Sequence, residues 1–173
     1  MEITKSKEIN LFVINQSAIL GLIHALFLFM LYSSGKLFSS WENLSFLIWI
    51  IFIYVSSIKY RERFLDGFIQ MGKAFAYGLR MIVLSGIISG FFYFILLKID
   101  TELAHKQIYT LLDLYAQTGF PESMIEELEY LLLKNFPWFI FLNSILSCFL
   151  YGMVVSFVTS IFVRRKREQT NLI

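Results

Sequence analysis

The stretch Phe75-Ala76-Tyr77-Gly78-Leu79-Arg80-Met81-Ile82-Val83-Leu84-Ser85-Gly86-Ile87-Ile88-Ser89-Gly90-Phe91-Phe92-Tyr93-Phe94-Ile95-Leu96-Leu97 carries a single formal charge, on Arg80. Wound as an α-helix at about 1.5 Å per residue, it outruns the roughly 30 Å hydrocarbon thickness of a bilayer. Three further apolar runs flank it, 11–32, 44–58 and 137–163, with no formally charged side chain in them. The second is the shortest and needs its flanks, 41–60, to cross. Across 173 residues, 57% are hydrophobic and 16% charged, and the mean hydropathy is +0.66. An ordinary soluble domain carries roughly a quarter charged residues, so a water-soluble globule is excluded and the apolar excess must face lipid. The reading is an all-α polytopic membrane protein with four transmembrane helices, at about 11–32, 41–60, 75–97 and 137–163. Residues 1–173 are expected to form a single integral membrane domain.

The first run follows Lys5 and Lys7 and precedes Ser33, Ser34 and Gly35, which imitates a secretory signal. Its apolar stretch is longer than the roughly 7 to 15 residues of a signal core and contains Asn15, Gln16 and His24, so it is expected to remain as a span. Orientation follows from Lys and Arg. Lys5, Lys7, Lys59, Arg61, Arg63, Lys73, Arg164, Arg165, Lys166 and Arg167 fall on one side, against Lys36, Lys98, Lys106 and Lys134 on the other. The positive-inside rule then puts both termini in the cytoplasm, and Trp41 and Trp138 at the outer interface, where amphipathic indoles favour headgroup depth.

The loop 98–135 reads as two amphipathic helices forming an outer, periplasmic hairpin between the third and fourth spans. Ala104, Ile108, Leu111, Leu112 and Tyr115 recur at helical spacing, Gly119 fits a stop, and Pro121 fits the first turn of a second helix. In that helix Ile125, Leu128, Leu131 and Leu132 are expected on one face and Glu122, Glu126 and Glu129 on another. The acids repel slightly at one-turn spacing, which makes their ridge the candidate surface for a basic partner, beside the simpler reading of a solvated face.

Tyr60-Arg61-Glu62-Arg63, followed by Gly67-Phe68-Ile69-Gln70-Met71-Gly72-Lys73-Ala74-Phe75-Ala76-Tyr77-Gly78, resembles the basic loop and helix start of a family of bacterial four-helix inner-membrane proteins known only as a domain of unknown function. The helical loop 115–134, Pro137, Gly152 near mid-helix and the basic terminus 164–167 are similar to the same family, so the likeness covers nearly the whole chain. It implies a bacterial inner-membrane location and four helices, and it brings no catalytic residues.

Small residues recur at four-residue steps in three spans: Ser17, Gly21 and Ala25; Ala74, Gly78, Gly86 and Gly90; Ser144, Cys148, Gly152, Ser156 and Ser160. Such stripes let backbones approach closely, so Gly21, Gly78, Gly86, Gly90 and Gly152 are expected to be packing positions, within one bundle or between copies. Cys148 fits the stripe as a small apolar residue. Polar side chains at membrane depth are the candidate functional cluster: Asn15, Gln16 and Arg80 in the inner third, His24 and Asn143 in the outer third. Arg80 is expected either to snorkel toward headgroups or to donate to Asn15, Gln16 or Thr159, and His24 to exchange a hydrogen bond with Asn143.

No Asp or Glu lies in a span, so the carboxylate relay of proton-coupled transporters is missing, as is an acid to orient a buried Ser–His pair. His24 and His105 are too few for zinc, and the glycine spacing matches neither a P-loop nor a dinucleotide fingerprint. Nucleic-acid binding lacks a basic stripe interleaved with aromatics. The expectation is a non-enzymatic structural or accessory membrane component, without cofactor, whose partners are the lipid bilayer and a second copy or another membrane protein. The alternative is a small oligomeric transporter or channel with a polar path through the bundle.

Overall fold

The computed structural model describes residues 2–165, with side chains described from residue 5 onward. Lys166, Arg167 and the final residue Ile173 lie outside that range. The chain is helical: α1 Glu2–Ser33, a short 3-10 turn Ser40–Leu44, α2 Ser45–Phe64, α3 Met71–Ile99, α4 Thr101–Gln117 and α5 Glu122–Val163. Four segments are long and apolar enough to cross a membrane, Lys5–Ser33, Ser40–Phe64, Met71–Ile99 and Glu122–Val163. Each contains one of the four runs read from sequence.

Two compact units divide the chain, one holding the described residues up to Ser89 and from Ser147 onward, the other Gly90–Leu146. In the first unit α1 and α2 run antiparallel, which brings His24 against Ser45 and Gln16 against Ser56. The start of α3 runs parallel to α1, with Phe12 stacked near Tyr77, and Gly21 lying under Ile88. The end of α5 is antiparallel to α3, pairing Gly78 with Ser156 and Gly152 with Ile82. This up-down order gathers the first turns of α1 and α3 and the last turns of α2 and α5 at one end. The same end carries Lys5, Lys7, Lys59, Arg61, Arg63, Lys73, Arg164 and Arg165.

That unit inverts the burial pattern of a soluble bundle. Leu26 (62% exposed), Ile51 (64%) and Phe162 (71%) face outward, while Ser17, Ser56, Ser57, Ser85, Ser89, Ser156 and Ser160 are buried beside Leu20, Ile53, Met81, Ile82 and Val155. Lipid is as apolar as leucine, so burying leucine gains little there, whereas small side chains admit close backbone contact and dispersion. Most of these hydroxyls bond the carbonyl one turn back, as Ser17 does to Val13 at 2.7 Å and Thr159 to Val155 at 2.9 Å. Those hydroxyls are satisfied within their own helix.

At the basic end Arg61 Nη1 donates to the Val163 carbonyl at 2.9 Å, capping the last turn of α5 with a cation. Ile69 and Arg165 add an isolated antiparallel bridge, and Ile69, Ala74 and Val163 form a small buried cluster beneath it. Two residues before this tie, Gly67 takes φ +80°, a left-handed turn that favours glycine.

In the second unit Asp100 caps α4, its carboxylate accepting from the Leu103 backbone N–H at 2.9 Å, so one residue separates α3 from α4. Ala104, Ile108 and Leu112 are buried, as the spacing predicted. Gly119 at φ +82° ends the turn that leads into α5. Gly90 seats Phe141 and Ser144, where an added Cβ would come within 3.2 Å of the Phe141 ring. Two expectations need correction. Leu131 is 49% exposed, because it sits one step off the Ile125, Leu128 and Leu132 face. And Pro137 does not begin the fourth span: α5 runs through it unbroken for 42 residues. Proline forfeits one backbone bond and crowds the preceding turn, yet helix on both sides holds the register, and Asn135 Nδ2 bonds the Leu131 carbonyl just upstream.

Candidate functional site

In the first unit, the polar residues picked out from sequence fall into an inner polar knot, a paired histidine, an apolar groove and the exposed Asn15; Asn143 belongs to the second unit.

The knot is assembled by α1, α2 and α3. Ser56 Oγ lies 2.6 Å from the Tyr77 hydroxyl and 3.2 Å from Gln16 Oε1, to which it donates. Tyr77 stacks on Tyr60 with ring centroids 4.3 Å apart and planes within 9°. One hydroxyl thus ties three helices, and the phenol's apolar body fills the core beside it. Gln16 was anticipated from sequence; Ser56 and Tyr77 were not. The usable signal was register, because in an antiparallel pair the residues equidistant from the connecting turn must meet, and Gln16 and Ser56 stand in that relation.

His24 is buried, with Nε2 3.0 Å from Ser45 Oγ and its ring edge-on to Trp49 at 5.2 Å. Its partner in the first unit is Ser45; Asn143, in the second unit, is exposed on α5. Asn15 is exposed too. Among the described residues, buried His24 Nδ1, Trp49 Nε1 and Ser156 Oγ have no hydrogen-bond partner.

Arg80 is exposed on α3 and meets none of the partners proposed for it: Gln16 accepts from Ser56, and Thr159 bonds its own helix. It stands instead on the rim of a groove of about 530 Å³ walled by Val13, Ile14, Leu79, Val83, Leu84 and Phe149, with Asn10 beside it. Asn10 escaped the sequence reading because it precedes the apolar run.

An added Cβ would lie 2.8 Å from Ile88 Cβ at Gly21, 2.8 Å from Ser156 Oγ at Gly78 and 3.0 Å from Ile82 Cγ2 at Gly152. Gly86 is buried. On α5, Glu122 and Glu126 are exposed and Glu129 is half-buried. Among the described residues, no three His, Cys, Asp or Glu side chains gather as a metal site.

The first unit is thus a helical bundle in which Gln16, Ser56 and Tyr77 bond one another. Neither a curated protein nor a solved structure matches the chain. A family profile does, across residues 16–165, which take in most of α1 and all of α2 to α5; the chain belongs to the family described as Protein of unknown function (DUF4199).

Proposed function

We propose that this protein is a multi-pass component of a bacterial inner membrane, with both termini in the cytoplasm, acting as a non-enzymatic structural or accessory subunit. The observation that carries the reading is the knot of Gln16, Ser56 and Tyr77, whose polar atoms bond one another inside the bundle rather than lining a path. The gathering of basic residues at one end supports the orientation, since such residues are retained on the cytoplasmic side. The exposed acids Glu122 and Glu126 on α5 are the surface proposed for a basic partner.

Two measurements test this. Extracted from its native membrane in lipid nanodiscs, the protein should carry a reproducible neighbour identified by mass, and reversing Glu122 and Glu126 to Lys should release that neighbour at low salt. Reconstituted in liposomes, it should pass no ions or small solutes under an imposed potential. The transporter reading draws on the unpartnered polar atoms of His24, Trp49 and Ser156. A flux that disappears on His24→Ala would establish that reading and end the accessory one.

A further inference from the structure

The groove beside Arg80 has the composition of a lipid site rather than of a helix seam. Its walls are aliphatic and aromatic, Val13 and Ile14 from α1, Leu79, Val83 and Leu84 from α3, and Phe149 from α5. Its polar lining residues are Arg80 and Asn10, and Asn10, three residues before Val13, stands on the side of the groove toward the basic end. A volume of about 530 Å³ is in the range of small-molecule sites, and a groove open to the bilayer at this depth accepts a hydrocarbon chain.

Depth and direction select the headgroup. Arg80 lies two turns, about 10 Å, beyond Lys73 along α3. Helical side chains slant toward their own N-terminus, so Arg80 reaches back toward the basic end, where an acyl chain meets its glycerophosphate. Lys73 and Arg80 are seven residues apart on one face of α3, and Lys7, Asn10 and Ile14 follow one another along one face of α1. All of these except the wall residue Ile14 are polar and exposed, so cations extend the rim outward. The nearest acid on this part of α1, Glu8, is turned about 100° round the helix from Lys7.

We propose that this groove binds one anionic phospholipid, its phosphate on Arg80 and Asn10, its charge balanced further by Lys7 and Lys73, and one acyl chain laid between α1 and α3. The guanidinium fork donates to two phosphate oxygens at once, and the apolar walls hold the chain that a free phosphate would lack. Cationic pockets between spans on the cytoplasmic side recognise anionic headgroups by the same combination. The inference needs only that the bundle sits in a bilayer, and it stands whether or not the accessory role does.

The full chain, stripped of lipid in detergent, is given phosphatidylglycerol, phosphatidylcholine or inorganic phosphate, and retained lipid is counted by native mass spectrometry alongside thermal unfolding. The wild-type protein should keep one phosphatidylglycerol in preference to phosphatidylcholine and melt higher with it, while inorganic phosphate does neither. Arg80→Gln should lower retention roughly five-fold, and Arg80→Lys less, since charge survives but the fork does not. Val83→Trp should block retention by filling the groove with Arg80 intact. If Arg80→Gln reduces expression, Lys7→Gln with Lys73→Gln carries the same comparison with a smaller loss. Equal retention of both lipids, unchanged retention in Arg80→Gln, stabilisation by phosphate alone, or a lipid-free dimer with the groove closed would each overturn the assignment.

Discussion

At the residue scale, the contacts of the glycines rank substitutions that spacing alone leaves equal. A Cβ at Gly21 meets Ile88 Cβ at 2.8 Å and the Ser85 carbonyl at 3.1 Å, neither of which is the free end of a flexible side chain. At Gly152 the nearest atom is a methyl at 3.0 Å. Gly21→Ala should therefore cost about 1 to 3 kcal/mol of stability in detergent and Gly152→Ala less, with Gly152→Leu as damaging as Gly21→Ala. Thermal unfolding of the three variants checks the order, and a neutral Gly21→Ala would mean that α1 and α3 do not touch there. The Ser56–Tyr77 pair makes a second prediction. Ser56→Ala and Tyr77→Phe should each lose stability, and the double mutant should show a coupling of about 0.6 to 1.7 kcal/mol, the range for hydrogen bonds between membrane helices. That pair was illegible in the sequence for a simple reason: serine and tyrosine occur throughout the spans, and only helix register says which of them meet. His24 and Gln16 announced themselves by being rare in hydrocarbon, but their partners did not.

At the scale of elements, the four spans were legible because a bilayer imposes a length that few other structures require. Helix ends were less so. α1 continues toward the N-terminus past its apolar run to Glu2, α3 begins at Met71, and α5 absorbs a proline that sequence takes for a boundary. Local preference sets a boundary only where tertiary contacts do not outweigh it. The Arg61 cap on α5 gives a prediction at this scale. Arg61 Nη1 holds the Val163 carbonyl, and Glu62 holds the other side of the guanidinium at 2.7 Å. Arg61→Ala should leave the last turn of α5 exchanging amide hydrogens faster, a local loss of about 1 kcal/mol, without altering α1. Uniformly faster exchange along α5 would show that the cap holds more than an end.

For the whole molecule, orientation is the property most directly open to measurement. Reporters fused before α1, near Gly67 and after Ile173 should read cytoplasm, and one near Gly119 the opposite side, because ten of the fourteen basic residues outside the apolar runs lie on the first side. An external signal from the Gly67 fusion would remove α2 from the list of crossings. The antiparallel contacts of α2 with α1, from His24–Ser45 to Gln16–Ser56, argue for a full traverse.

The pairing of Gly78 with Ser156 and of Ile82 with Gly152 has a bearing on how the chain is made. Synthesis runs from the N-terminus, so α1 and α2 can close their hairpin as soon as both have left the ribosome, while the seam on α3 stays vacant until α5 is added. During that interval a strip of glycine and serine lies open to the insertion machinery and to neighbouring nascent chains. A ribosome stalled just after α4 should therefore expose a cysteine placed at Ile82 to crosslinking with the translocation channel, and release to full length should protect it.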